Sequence, residues 1–298
     1  MKLKERLDIY ERLMRLDKPI GILLLLWPTL WGLWLSSTGS PNLMVAVVFV
    51  LGVVLMRSAG CVINDFADRD FDRHVERTRN RPLAAQLIST REALTVAGVL
   101  VLLSFLLVLQ LNMLTIKLSL IALALAVIYP FLKRVFWLPQ AWLGIAFGFG
   151  IPMAFAAHQN QVVPLAWVLL AANIFWAIAY DTEYAMVDRD DDIKLGLKSS
   201  AILFGRFDVA GVMICHALFL SCMAYVGVRA QCGVGYFAGL VIAACIAAYQ
   251  YFLIRDRSRE GCFKAFMLNN FVGAAVFAGI IAEFTWRMPL FSGAPLAR

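Results

Sequence analysis

Two acidic stretches hold the residues of this 298-residue chain best suited to chemistry. The first reads Asn64-Asp65-Phe66-Ala67-Asp68-Arg69-Asp70-Phe71-Asp72, and the second runs from Asp181 through Tyr184 to Asp188-Arg189-Asp190-Asp191-Asp192. On a helix, Asn64, Asp68 and Asp72 share one face, and so do Asp181, Tyr184, Asp188 and Asp192. Carboxylates at i, i+4 repel and cost an isolated helix about 0.2–0.5 kcal/mol per pair. One such pair reads most simply as a solvated charged face. Two Asp-x-x-x-Asp pairs offset by 120 residues, each at the end of an apolar stretch, ask for more. Mg2+ is a hard cation that takes one or two carboxylates and completes its shell with substrate phosphates. Asp68 and Asp72 on one side, with Asp188 and Asp192 on the other, are therefore candidate ligands for a Mg2+–diphosphate complex. Asp70, Asp190 and Asp191 fall off the stripes and read as solvated.

Basic residues surround both motifs. Arg77, Arg79 and Arg81 follow the first, Lys133 and Arg134 precede the next apolar stretch, and Lys194 and Lys198 follow the second. Each can contact phosphate oxygens, and each reads equally well as an anchor at a membrane edge. Tyr129 and Lys133, four apart, can present a hydroxyl and an ammonium to one cavity. Arg57 precedes Asn64 by seven residues, nearly two turns, which sets it on about the same face and about 10 Å deeper. A charge that deep inside an apolar segment is functional by default.

The elements that position these groups follow from composition. Hydrophobic residues make up 61% and charged residues 16%, against roughly 45–50% and 25% in soluble domains, and the mean hydropathy is +0.76. These values exclude a disordered chain, a coiled coil, a disulfide-knit secreted domain and an ordinary cytosolic enzyme. The six cysteines form no CxxC and no metal-ligand spacing, so they read as small hydrophobes. Residues 1–18 carry four acids and no apolar core, unlike a cleavable signal peptide or an acid-poor transit peptide. Nine stretches suit membrane helices of about 20 residues: 20–37, 43–63, 92–110, 113–130, 138–157, 162–180, 208–228, 233–254 and 265–286.

Charge then orients the chain. With the N-terminus in the cytoplasm, 22 of the 27 Lys and Arg fall on the cytoplasmic side, as the positive-inside rule requires. The net charge of +7 is thereby explained without nucleic acid. Of the 20 acids, 19 lie in or at the edges of the same segments. The expectation is an all-α polytopic protein in a bacterial inner membrane, N-terminus cytoplasmic and C-terminus periplasmic. Its single domain, 1–298, has two cytoplasmic cap loops, 64–91 and 181–207. The 120-residue offset suggests two degenerate four-helix repeats followed by a ninth helix.

The chain resembles the UbiA superfamily of intramembrane aromatic prenyltransferases over essentially its full length. The resemblance rests on Asn-Asp-x-x-Asp-x-x-x-Asp at 64–72, Asp-x-x-x-Asp at 188–192, Tyr-x-x-x-Lys at 129–133, and the stretches RLMRLDKPIGILLLLWPTLWGLW and YDTEYAMVDRDDDIKLGLKSSAILFG. It implies nine transmembrane helices around a central cavity and a Mg2+-dependent reaction in ubiquinone biosynthesis. That reaction moves a polyprenyl group from an all-trans polyprenyl diphosphate to the ring carbon ortho to the hydroxyl of 4-hydroxybenzoate. It also implies Asn64, Asp68, Asp72, Asp188 and Asp192 as Mg2+–diphosphate ligands, with Asp181 nearby as one possible base and released diphosphate as the other. Arg77, Arg81, Tyr129, Lys133 and Arg134 become diphosphate-side partners, and Arg57 faces the aromatic acid, whose carboxylate a guanidinium can grip with two hydrogen bonds. Dihydroxynaphthoate and haem stay open as other acceptors. A divalent-cation transporter is the rival class, but transporters place their sites near the bilayer midplane, whereas these carboxylates sit at helix ends.

Overall fold

Backbone groups in a bilayer have no water to satisfy them, so spanning segments close their hydrogen bonds as helices. A computed structural model, which describes residues 3–73, 78–132 and 134–290, follows that rule: every regular element among those residues is helical. In order they are α1 (Leu3–Met14), α2 (Ile20–Ser36), α3 (Leu43–Asp72), α4 (Thr90–Val108), α5 (Met113–Leu132), α6 (Pro139–Gly148), α7 (Gly150–Gln159), α8 (Pro164–Lys194), α9 (Ser200–Phe204), α10 (Asp208–Arg229), α11 (Val234–Ile254) and α12 (Arg259–Leu290). Among the described residues, eight segments are long and apolar enough to cross a membrane, with α6 and α7 counting as one. The first expected span is α2, whose 17 residues reach only the lower end of the spanning range.

The two motif-bearing helices overshoot. At 30 and 31 residues, α3 and α8 are about 45 Å long at 1.5 Å per residue, against a hydrocarbon core of about 30 Å. The expected cap loops therefore begin as helix, and the acidic stripes ride on the protruding ends. A Schellman motif stops α8: Leu197 N–H donates to the Asp192 carbonyl (3.0 Å) and Gly196 N–H to that of Ile193 (3.2 Å). Gly196 takes φ +67°, the left-handed position that glycine occupies without a Cβ clash. The α6–α7 break has a covalent cause. Pro152 has no N–H to donate to the Gly148 carbonyl, so the helix interrupts at Phe149.

A cavity of about 1270 Å³ is lined by α1 to α8 and α12, together with the α1–α2, α3–α4, α4–α5 and α8–α9 connections, but not by α10 or α11. The expected helices around a central cavity are present, with α10 and α11 standing behind its wall. There α11 packs along α12, and α10 along α8. Glycine permits the first pairing, because a Cβ on Gly239 would lie 2.6 Å from the Ala275 carbonyl oxygen and 2.7 Å from the Gly279 Cα. Outward faces carry exposed Leu102 and Leu106 on α4, Ile121 on α5, Ile214 on α10 and Val241 on α11, a surface suited to lipid. Gly239→Ala should lower the stability of the purified protein by about 1–3 kcal/mol, read as a fall in Tm in detergent. An unchanged Tm would show that α11 and α12 are not this close.

Candidate active site

One face of α3 runs the length of the cavity. Phe49, Gly52, Val53, Met56, Arg57, Gly60, Asn64, Asp68 and Asp72 all line it, spaced three or four apart as a single helical face requires. The cavity is apolar around Phe49 and Met56, where Phe105, Val108, Leu123 and Met153 join from α4, α5 and α7. It is polar at the other end. From α8, Tyr180, Asp181, Tyr184, Asp188, Asp191 and Asp192 line the same space. Both sequence stripes therefore face one cavity. Asp68 and Asp72 are buried, and Asn64, Asp181, Asp188 and Asp192 are half-buried. Tyr129 and Arg81 line the cavity too.

Other expected residues fall differently. Arg134 does not line the cavity, since its guanidinium turns back and donates to the Ala67 carbonyl of α3 (2.5 Å). Arg77 and Lys133 lie outside the described residues. Asp70 and Asp190 are exposed as expected. Asp191 is not simply solvated; it lines the cavity and pairs with Arg259 (3.6 Å) and Lys194 (3.8 Å). Lys198 lines the cavity, donates to the Val135 carbonyl (3.0 Å) and sits over the Trp137 ring.

Several contributors escaped sequence reasoning. Arg15 and Lys18 from the α1–α2 connection and Lys264 from α12 line the cavity, although in sequence they are indistinguishable from other positive-inside residues. Asp65, off the stripe, is 1% exposed and accepts from Arg15 (2.5 Å), with Arg81 at 3.2 Å. Arg81 also donates to Asp72 (2.7 Å). Burial holds the Asp72 carboxyl above its ordinary range against the pull of Arg81, and Asp68 and Asp65 push in the same direction as burial.

Arg57 is held on three sides. Its Nη1 donates to Cys61 Sγ (2.9 Å), its guanidinium lies 5.6 Å from the Phe147 ring centre, and it passes so close to Gly21 that a Cβ there would meet Nη2 at 2.4 Å. Its buried Nε has no hydrogen-bond partner among the described residues.

The donor chemistry at the polar end fits a hard dication. The candidates are carboxylates and one amide, all oxygen ligands, drawn from two helices. Among the described residues no three His, Cys, Asp or Glu side chains gather into a ready cage. A dication there would need phosphate oxygens to complete its shell, as Mg2+ sites usually do.

Residues 25–278 match the UbiA prenyltransferase family. The chain belongs to that family. It is a multi-pass membrane protein, as its apolar helices and its family both indicate. It is 65% identical over 284 residues to the 4-hydroxybenzoate octaprenyltransferase of Azoarcus sp. (strain BH72), covering 95% of this chain and 99% of that one. It is 60% identical to the protein of the same name from Nitrosomonas europaea, covering 96% and 98%. Among solved structures it is similar to an apo UbiA homolog from Aeropyrum pernix K1, with TM-score 0.78, 28% identity and coverage of 87% and 96%. A UbiA homolog from Archaeoglobus fulgidus bound to GPP and Mg2+ shares the fold, with TM-score 0.69, 22% identity and coverage of 91% and 99%.

The Asp65 bracket is open to test. Arg15→Ala and Asp65→Ala should each lower Tm, and the double variant should fall short of their sum by a coupling of about 0.5–3 kcal/mol. Strict additivity would mean that the ion pair holds nothing together.

Proposed function

We propose that this chain transfers a polyprenyl group from an all-trans polyprenyl diphosphate to the ring carbon ortho to the hydroxyl of 4-hydroxybenzoate, releasing diphosphate, in ubiquinone biosynthesis. The observation that carries the reading is one cavity with three chemistries along a single helix face. Oxygen donors and cations stand at its end, a guanidinium with an unsatisfied Nε below them, and an apolar throat beyond. A polyprenyl diphosphate is amphipathic in the same sense, and a ring acid needs a cation set apart from the diphosphate. The names of relatives at 60–65% identity over nearly the whole chain support the same acceptor.

In this reading Asn64, Asp68, Asp72, Asp188 and Asp192 hold Mg2+, which when bound neutralises the diphosphate and eases its departure. Arg81 and Tyr129 face the diphosphate, joined by Arg15, Lys18, Lys198 and Lys264, whose charges stabilise the negative charge that develops as the allylic C–O bond breaks. Arg77 and Lys133 belong to the same proposal on sequence grounds, and Arg134 acts by bracing α3 at Ala67. The apolar throat takes the tail and excludes water from the allylic cation. Arg57 grips the acceptor's carboxylate and points the hydroxyl-bearing end of the ring toward the diphosphate. The ring carbon attacks the allylic carbon, a C–C bond forms, and the ring proton leaves to Asp181 or to the released diphosphate.

The whole of 1–298 serves as one catalytic unit, in a bacterial inner membrane with the N-terminus cytoplasmic and the C-terminus periplasmic, on the strength of the Lys and Arg bias. Reporter tags within 194–206 should score cytoplasmic and a tag after 298 periplasmic; a cytoplasmic C-terminus would refute the span count. In detergent with Mg2+, 4-hydroxybenzoate and a polyprenyl diphosphate, the purified protein should turn over. Asp68→Asn and Asp188→Asn should nearly abolish turnover without loss of fold, because an amide keeps the shape and removes the charge. Arg57→Ala should raise KM for 4-hydroxybenzoate far more than for the prenyl diphosphate, and Arg57→Lys should rescue it in part. Full activity in excess chelator, or in either Asp variant, would sink the diphosphate reading.

A further inference from the structure

Tyr180 is the residue in this cavity whose presence the fold does not explain. It is 1% exposed. Its ring is fixed edge-on against Trp176, with centroids 5.2 Å apart, and against Phe266 at 6.3 Å. Trp176 is itself anchored by an N–H bond to Asn269 (3.0 Å). The ring therefore has little freedom to turn. The residue lines the cavity, and its buried hydroxyl has no hydrogen-bond partner among the described residues. Buried tyrosine hydroxyls normally find a partner, and leaving a polar group unsatisfied costs about 1–3 kcal/mol. Phenylalanine would pack here equally well, so the hydroxyl is there for something that enters the cavity.

Arg57 shows the same condition in the same space, with a buried Nε that also lacks a partner. Its guanidinium is turned toward Cys61, which precedes Asp68 by seven residues, as Asp181 precedes Asp188. If the two Asp pairs frame one diphosphate, that register sets the guanidinium and the Tyr180–Asp181 turn at one level, about 10 Å below it. Two buried donors without partners among the described residues, one on α3 and one on α8, thus line the same cavity. A carboxylate accepts and does not donate, and offers about four lone-pair sites.

We propose that the Tyr180 hydroxyl donates to the acceptor's carboxylate beside the guanidinium of Arg57, so that the two form one anion site selecting a ring acid over a neutral phenol. The proposal rests on the reading that Arg57 binds that carboxylate. The complementary arrangement, with Tyr180 at the acceptor's own hydroxyl, is an outcome the test separates.

The test uses Tyr180→Phe in the full-length enzyme with Mg2+. Losing a hydrogen bond to a charged group should raise KM for 4-hydroxybenzoate about tenfold and weaken inhibition by benzoate by about the same factor. KM for the prenyl diphosphate, inhibition by phenol, and Tm should not fall away, since the lost oxygen had no partner in the protein. Unchanged KM and unchanged benzoate inhibition overturn the proposal, and so does a variant that weakens phenol while sparing benzoate. Arg57→Ala, run in parallel, separates the two claims. If it weakens benzoate and Tyr180→Phe does not, the Tyr180 contact alone is wrong. If Arg57→Ala spares benzoate, the carboxylate site is misplaced and both claims fall.

Discussion

A single buried carboxylate organises the polar end of the molecule. Asp65 is enclosed on α3, between Arg15 of the α1–α2 connection and Arg81 of the chain that follows α3. The acids of α3 repel one another along their face, and Arg15 and Arg81 offset that repulsion. Arg81 reaches Asp72 as well, so one guanidinium ties the motif's last carboxylate to Asp65. Three segments are thereby gathered at the polar end of the cavity. Truncating one partner of a buried ion pair leaves the other charge uncompensated, which makes this cluster a structural commitment rather than surface decoration.

The second constraint is amphipathicity along one helix. From Asp72 to Phe49, the cavity face of α3 passes from carboxylates through an amide, a glycine and a guanidinium to hydrocarbon. The wall is graded in the same order as a molecule with a charged head and a long apolar tail. The protrusion of α3 and α8 beyond bilayer thickness lets carboxylates stand in the polar zone while the same helices line an apolar throat.

Much of this was legible in the chain because it follows simple periods. The Asp stripes repeat at helical spacing, and hydropathy marks the apolar stretches to within a few residues. What was illegible depends on side-chain direction and on partners distant in sequence. Arg15 and Lys18 carry no local sign that distinguishes them from topology anchors; only the docking of α1 and its following turn brings them to the cavity. Arg134 was expected there, but a long flexible side chain can satisfy itself on the Ala67 carbonyl just as well. Tyr180, inside an apolar helix, looks like any core aromatic until its hydroxyl is found without a partner. The close packing of α11 on α12 rests on glycine at Gly239, which average hydropathy does not encode.

The single cavity face of α3 also bears on how such a protein can change over time. Each residue of a helix advances about 100° around its axis. One residue inserted between Arg57 and Asn64 would swing the guanidinium off the wall that carries the acids. A deletion would do the same in the opposite sense. Compensation would require three or four residues at once, which would shift the depth of the throat by about one turn, about 5.4 Å. Length variation is thus barred from the middle of this helix and confined to the connections between helices. New acceptors or donors have to be reached by exchanging side chains in place, at positions whose register is already set.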